Sequence, residues 1–187
     1  TMNRFSLFLR LWHWLNAVVV LGLLGTFFLR KTFLSWRDNS QILLQKLAEF
    51  DIIITQEQAK ALAKAVRAPM WEWHIILGVV FTLLLLIRWI MIFKDGFGFP
   101  KNDTTHMQWV YRLYKVMYTI FTIMAISGLI LAFYTSLGID KEIAHQIKEM
   151  HETLAWSVVA FVVLHLGGVI AAEQKNQKGI VSQMISG

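Results

Sequence analysis

Four apolar stretches, separated by polar segments, dominate the pattern of residues along this chain. With their flanking residues they predict membrane spans at about 8–29, 71–93, 113–134 and 151–172. A helix that crosses a bilayer needs roughly 20 mostly apolar residues, and each stretch is close to that length. Inside lipid the backbone must satisfy its own hydrogen bonds, so the spans are expected to be helices. The sequence therefore predicts an all-α membrane protein built as a four-transmembrane-helix bundle.

The segment between the first two spans, about 30–70, is too long for a simple turn. Its apolar residues recur at helical spacing, and Thr55 and Gln58 form a capping-box pattern ahead of an alanine-rich stretch. Pro69 is expected to end that stretch. We predict two short amphipathic helices that form a small periplasmic cap. The cap serves either as a membrane-hugging linker or as a docking surface for a partner protein.

Composition supports one membrane domain over residues 1–187. Hydrophobic residues make up 56% and charged residues 16%, whereas soluble domains carry about 25% charged residues. The chain has no cysteine, which excludes disulfides, cysteine-ligated iron–sulfur clusters and covalently attached c-type haem. Net charge is +6, but the basic residues lie beside apolar segments. This position favours membrane lipid headgroups, and not nucleic acid, as their partners.

Loop charge sets the expected orientation of the spans in the membrane. The 18 Lys and Arg residues divide equally between the two sides, so the total does not decide. The short loop between spans two and three carries Lys94, Lys101, Arg112 and Lys115, and short basic loops stay in the cytoplasm. Both termini are then cytoplasmic as well. Charged residues, and not a small-residue cleavage site, follow the first apolar stretch, so we expect it to be retained as a span.

Histidines at matched depths in the spans indicate the chemistry. His151 and His165 are fourteen residues apart, which places them on nearly the same side of one helix, about 21 Å apart along its axis. His13 is expected level with His165, and His74 level with His151. Two histidines on one haem iron give a low-spin centre suited to electron transfer. We predict two haems b, an inner one on His13 and His165 and an outer one on His74 and His151.

An alternative reading of these histidines stays open. A single histidine at a helix end is more often interfacial or hydrogen-bonded than a ligand. A non-redox membrane subunit with structural histidines is therefore an alternative to any redox function. Ionisable groups inside a membrane are costly and usually functional, however, and four at two depths favour haem. His106 and His145 are expected in loops, as solvated side chains.

Three polar residues near the predicted inner haem have two interpretations each. Arg10 lies one turn before His13, and Arg88 lies near the cytoplasmic end of the second span. Either arginine binds the haem propionates or it extends to lipid phosphate. Asn16 lies one turn after His13. It is expected either beside a quinone headgroup or at an ordinary helix-packing contact.

These motifs resemble the bacterial cytochrome b561 family. The fourth-span run Met150–Ala155, with His165 ten residues further on, carries most of the resemblance. Trp12-His13-Trp14 and Trp73-His74 resemble the ligand positions of the first two spans. Broader relatives are the membrane cytochrome subunits of formate dehydrogenases and nickel–iron hydrogenases. The resemblance implies four helices, two haems with ligands on helices one, two and four, and a quinone as one redox partner.

Two functions follow from this pattern. The first is transmembrane electron transfer in a respiratory chain, between a quinone pool and a periplasmic or membrane-bound redox partner. Because the chain has no flavin or nucleotide motif, a partner protein or larger membrane complex is expected, and an oligomer is compatible with this. The alternative is a stand-alone superoxide:quinone oxidoreductase, for which cations of segment 30–70 would have to attract superoxide. That segment is longer than the connection expected in compact relatives, so it could change what docks there.

Overall fold

A computed structural model describes residues 5–97, 105–175 and 178–187, and all regular secondary structure within these ranges is helical. Helices α1, α3, α4 and α5 contain the four described segments that are long and apolar enough to cross a membrane. The prediction of an all-α protein with four spans is therefore confirmed. The helices are α1 (Leu7–Lys31), α2 (Trp36–Ala48), α3 (Gln56–Asp95), α4 (Thr105–Phe133), α5 (Lys141–Lys175) and α6 (Ile180–Ile185).

Helix α5 begins ten residues before the fourth predicted span. The N–H of Glu142 donates to Asp140 Oδ1 at 2.9 Å, so a carboxylate satisfies a free amide of the first turn. His151 consequently lies well inside the helix and not at its start. The expectation that His145 and His106 lie in loops is wrong, since they belong to α5 and α4. Hydropathy detects only the lipid-facing part of a helix, and both helices extend beyond it.

Helix α3 combines the second predicted cap helix with the second span. Its capping box is confirmed, because Thr55 N–H donates to Gln58 Oε1 at 2.8 Å and Gln58 N–H donates to Thr55 Oγ1 at 3.2 Å. The expectation that Pro69 ends the helix is wrong, as α3 continues through it for 40 residues in all. A proline inside a helix removes one hydrogen bond, and Ala63 and Met70, on either side of it, are buried.

The chain divides into two compact units, Val19–Leu77 and Thr1–Val18 with Gly78–Gly187. In the first unit, α1 and α3 run antiparallel. Gly22 lies against Leu77, where a Cβ would approach the Leu77 side chain to 2.9 Å, and Thr26 contacts His74. A glycine at position 22 therefore lets these two helices approach closely.

In the second unit, α4 and α5 form an antiparallel pair. Ser127 of α4 contacts His151 of α5, whereas Tyr114, earlier in α4, contacts His165, later in α5. The short helix α6 follows α5, and Glu173 accepts hydrogen bonds from backbone amides at the start of α6. The two predicted ligands of α5 are thus both held by α4.

Candidate functional site

The imidazoles of His13 and His165 face each other within one unit. Their ring centroids are 6.0 Å apart, with an angle of 55° between the planes, and both side chains are half-buried. Metal–nitrogen bonds of about 2 Å, added to an imidazole radius of about 1.2 Å on each side, separate two rings on one metal by roughly 6 Å. The pair therefore has the spacing that a single bis-imidazole iron requires.

Aromatic side chains surround His165. The Tyr114 hydroxyl lies 3.2 Å from His165 Nδ1. Phe161, one turn earlier on α5, stacks on the imidazole with centroids 5.8 Å apart and planes 20° apart. Tyr114 also meets Phe161 edge to face at 5.9 Å. These contacts restrict rotation of the His165 ring and hold its Nδ1 side toward α4.

A serine fixes the orientation of His151. Ser127 Oγ lies 2.8 Å from His151 Nδ1 and donates its own proton to the Met124 carbonyl at 3.2 Å. With its one proton on the Met124 carbonyl, Ser127 is placed to accept from an Nδ1–H of the histidine. In that tautomer the lone pair is on Nε2, which is the nitrogen that a metal would take.

Gly128 gives His151 the room to lie against α4. A Cβ at position 128 would lie 3.3 Å from His151 Cε1, which is closer than ordinary van der Waals contact. Any side chain here would push the imidazole away from α4. The Ser127–Gly128 pair thus supplies a hydrogen-bond acceptor and a close approach at consecutive positions.

In the other unit, a threonine holds His74 in the same way. Thr26 Oγ1 donates to the Leu23 carbonyl at 2.7 Å and lies 2.7 Å from His74 Nδ1. With the hydroxyl proton on the helix backbone, Thr26 Oγ1 is likewise placed to accept from an Nδ1–H of His74. Trp71 meets the His74 ring edge to face, with centroids 5.6 Å apart. His74, His151 and His165 therefore all have Nδ1 beside a hydroxyl from a different helix.

This arrangement fits histidines that ligate a metal through Nε2. Metal-bound histidines almost always use the second ring nitrogen in a hydrogen bond, which fixes the tautomer and the ring orientation. The profile of the prokaryotic cytochrome b561 family matches residues 4–187, nearly the whole chain. The chain belongs to this family. No curated protein and no solved structure matches the chain.

Family membership determines the class of chemistry. A cytochrome b561 transfers electrons across a membrane by b-type haem, and the four apolar helices make this cytochrome a multi-pass membrane protein. The residues present suit that cofactor, because the porphyrin supplies the other ligands of an iron that two imidazoles complete.

Arg88 of the cytochrome lies among aromatic side chains. Its Nε donates to the Tyr118 hydroxyl at 3.1 Å, and its guanidinium lies 5.5 Å from the ring centroid of Trp12 and 5.8 Å from that of Tyr118. Trp12 in turn donates from Nε1 to the Leu84 carbonyl at 2.8 Å. These contacts tie α1, α3 and α4 together. Propionate binding and lipid contact both stay predictions for Arg88.

Arg10 contacts the C-terminal residues. Its Nη1 donates to the Ile185 carbonyl at 3.3 Å, and its buried Nε has no hydrogen-bond partner among the described residues. Asn16 is half-buried on α1, one turn after His13. The propionate role of Arg10 and the quinone role of Asn16 stay predictions.

Sequence reasoning missed the residues that position the histidines. They are Thr26, Tyr114, Ser127 and Gly128, and three of them carry hydroxyls on predicted spans. The available signal was a Ser-Gly pair in the second half of the third predicted span, where residues 123–133 are otherwise apolar. A polar hydroxyl there must find a hydrogen-bond partner, and its own helix backbone accounts for only its proton.

Proposed function

We propose that this cytochrome transfers electrons between a quinone pool and a periplasmic or membrane-bound redox partner through two haems b. The proposed inner haem is held by His13 and His165, and the outer one by His74 and His151. The 6.0 Å separation of the His13 and His165 rings is the observation that carries the proposal. The pairing of His74 with His151 rests on their positions along the sequence.

The side chains around the histidines prepare them for this role. Haem b, when bound, supplies a one-electron iron couple. Thr26 and Ser127 accept the Nδ1 protons of His74 and His151, which increases the basicity of each imidazole at Nε2. A hydroxyl bonded to its own helix cannot rotate freely, so each ring keeps one orientation. Fixed ligands favour electron transfer because little has to reorganise when the iron changes charge.

A pyridine haemochrome assay on the purified protein tests the haem content. We expect two b-type haems per chain, both low-spin, because four histidines are available to hold two irons. A ratio near one or zero contradicts the two-haem proposal. A high-spin absorption spectrum of the native protein, recorded before pyridine is added, contradicts bis-histidine ligation even where the ratio of haem to chain is two.

Quinone chemistry is tested separately. A quinone headgroup needs an apolar cleft with a few polar groups, and the side chain of Asn16, one turn from His13, is our proposed hydrogen-bond donor. A quinol analogue should reduce the oxidised haems, and Asn16→Ala should slow that reaction. Gln41→Ala, which removes an exposed amide from α2, should leave it unchanged. If no quinol reduces either haem and a quinone fails to reoxidise them, the quinone assignment is wrong.

We also propose that both termini are cytoplasmic in a bacterial inner membrane. The basic loop between α3 and α4 supports this orientation. A reporter that is fluorescent only in the cytoplasm, fused after Gly187, should give signal. A periplasm-specific reporter that is active at the same position overturns the orientation and exchanges the inner and outer haem labels.

A second candidate, superoxide:quinone oxidoreductase, is favoured by the cations around Trp36. Arg37, Lys60 and Lys64 lie 4.9, 5.4 and 5.7 Å from its ring centroid. Such a cluster attracts anions, although Glu57, at 3.7 Å from Lys60, weakens its field. Superoxide should then reduce the haems at a rate that falls with ionic strength and with Lys60→Gln plus Lys64→Gln. Absence of superoxide-driven reduction excludes this candidate and leaves the first one standing.

A further inference from the structure

Two arginines approach the same tryptophan beside His74. The guanidinium carbons of Arg30 and Arg67 lie 5.9 and 5.8 Å from the ring centroid of Trp71, and Trp71 meets the His74 imidazole at 5.6 Å. All four residues belong to the unit Val19–Leu77. Two like charges near one ring repel each other, so the arrangement is more favourable when an anion lies between or beside them.

Helices α1 and α3 place Arg30 and Arg67 on the same side of His74. On α3, Arg67, Trp71 and His74 follow a spacing of four and three residues, so they share one face, with Arg67 about two turns from His74. On α1, Arg30 lies one turn beyond Thr26, the residue that holds His74. Because the helices are antiparallel here, both guanidiniums are displaced from His74 toward the cap end of the unit.

Arg67 has a buried donor to satisfy. Its Nε is buried and has no hydrogen-bond partner among the described residues, and the described ion pairs do not include Arg67. An unsatisfied buried donor is unfavourable, and more so when it belongs to a charged group. Since the planar fork of a guanidinium matches a carboxylate, a bound carboxylate would satisfy both the charge and the geometry.

We propose that Arg30 and Arg67 form an oxyanion site for the propionate carboxylates of the haem ligated by His74. This inference rests on the proposed function, since it requires a haem at His74. Trp71 then separates the charged site from the imidazole and fixes the distance between them. The site depends on the part of α3 that precedes the second apolar stretch, so the long connection after α1 contributes directly to the haem environment.

The experiment is a redox titration of the purified full-length protein carrying Arg30→Gln and Arg67→Gln. Loss of two positive charges favours the oxidised iron, so only the haem that His74→Ala removes should shift to a lower midpoint potential. We expect at least a tenfold rise in its oxidised-to-reduced ratio at fixed potential, equivalent to about 59 mV for one electron. The matched control is Lys46→Gln, which removes a cation from the same unit at an exposed ion pair with Glu49.

A second variant keeps the test decisive if the double variant loses haem. Arg67→Lys retains the charge but not the fork, so it should keep the haem and change the propionate bending modes in resonance Raman spectra. Unchanged potential and unchanged Raman modes in variants that hold two haems overturn the inference. It is also overturned if mass spectrometry shows that the double variant loses a bound anionic lipid while the haem is unaffected. In that case lipid phosphate is the ligand.

Failure of the proposed function has a different signature. If His74→Ala leaves the wild-type haem count unchanged, His74 ligates no haem and both proposals fall together. If His74→Ala removes one haem but the arginine variants behave like Lys46→Gln, only the oxyanion site is wrong.

Discussion

The surroundings of His151 and of His165 differ, although both histidines lie on one face of α5 and are held by α4. His151 lies against small residues, with Ser127 Oγ at 2.8 Å and Gly128 beneath the ring. His165 lies among aromatic rings, with the Tyr114 hydroxyl at 3.2 Å and Phe161 stacked on it. The α4–α5 pair thus surrounds its two histidines differently. We call Ser127 and Gly128 the small-residue setting of His151, and Tyr114 and Phe161 the aromatic setting of His165.

This difference should give the two proposed ligands different electronic properties. The serine hydroxyl is a close acceptor whose proton is fixed by the helix backbone, and it increases the basicity of the His151 ring. The longer contact to a phenol has a weaker effect on His165. Because ligand basicity and local polarity set haem potentials, the two proposed haems should have separate midpoints, which gives electron transfer between them a preferred direction.

The largest expected effect comes from removing each histidine alone. His151→Ala and His165→Ala should each reduce the haem content from two to one per chain, and a different midpoint should disappear in each case. Pyridine haemochrome assays combined with redox titration measure both quantities. Loss of both haems from either variant would show that the two settings do not form independently.

A single carbon added at Gly128 should disturb only the small-residue setting. In Gly128→Ala the new Cβ lies 3.3 Å from His151 Cε1, so the imidazole must move by a few tenths of an ångström from the position in which Ser127 holds it. We expect weaker retention of the haem at His151 on dilution in detergent, with no change at His165. Val116→Ile also adds one carbon to α4, at a position 54% exposed, and should leave both haems unchanged. Equal loss of both haems in Gly128→Ala would contradict a local role.

Removing the serine hydroxyl should shift one potential without removing haem. Ser127→Ala deletes the acceptor for His151 Nδ1–H, so the imidazole becomes less basic and the reduced iron is favoured. A hydrogen bond worth about 1 kcal/mol corresponds to a roughly fivefold change in the oxidised-to-reduced ratio. Thr119→Ala is the control, since Thr119 is also a backbone-bonded hydroxyl on α4. A downward shift, or an equal shift in the control, refutes the assigned hydrogen-bond direction.

The smallest effect is expected from Tyr114→Phe. The phenol contact with His165 is longer, so its loss should raise the midpoint of the haem at His165 only slightly. The oxidised-to-reduced ratio of that haem should change roughly twofold, while the Phe side chain keeps its packing on Phe161. Tyr134→Phe, beyond the end of α4, should change neither midpoint. If Tyr114→Phe shifts its haem more than Ser127→Ala shifts the other, the ranking of the two settings by hydrogen-bond strength is wrong.

Helix ends and boundaries show where sequence reasoning was sufficient. The capping box of Thr55 and Gln58 was predictable because its hydrogen bonds involve residues three apart. Asp140 caps α5 through an equally local hydrogen bond to Glu142. The span was nevertheless predicted to begin at residue 151, because hydropathy marks only the apolar part of the helix. Pro69 misled the prediction because its effect depends on what the flanking residues bury, which a local rule does not include.

The sequence by itself determined the four spans, the absence of cysteine chemistry and the histidines on one face of α5. Each of these depends on composition or on the fixed geometry of a helix. Only the tertiary structure decided which hydroxyl lies beside His74, His151 and His165, and where Arg30 and Arg67 lie. Thr26 and His74, or Ser127 and His151, are far apart along the chain. Their contacts follow from the packing of antiparallel helices, and side-chain packing of this kind leaves no periodic pattern in a single sequence.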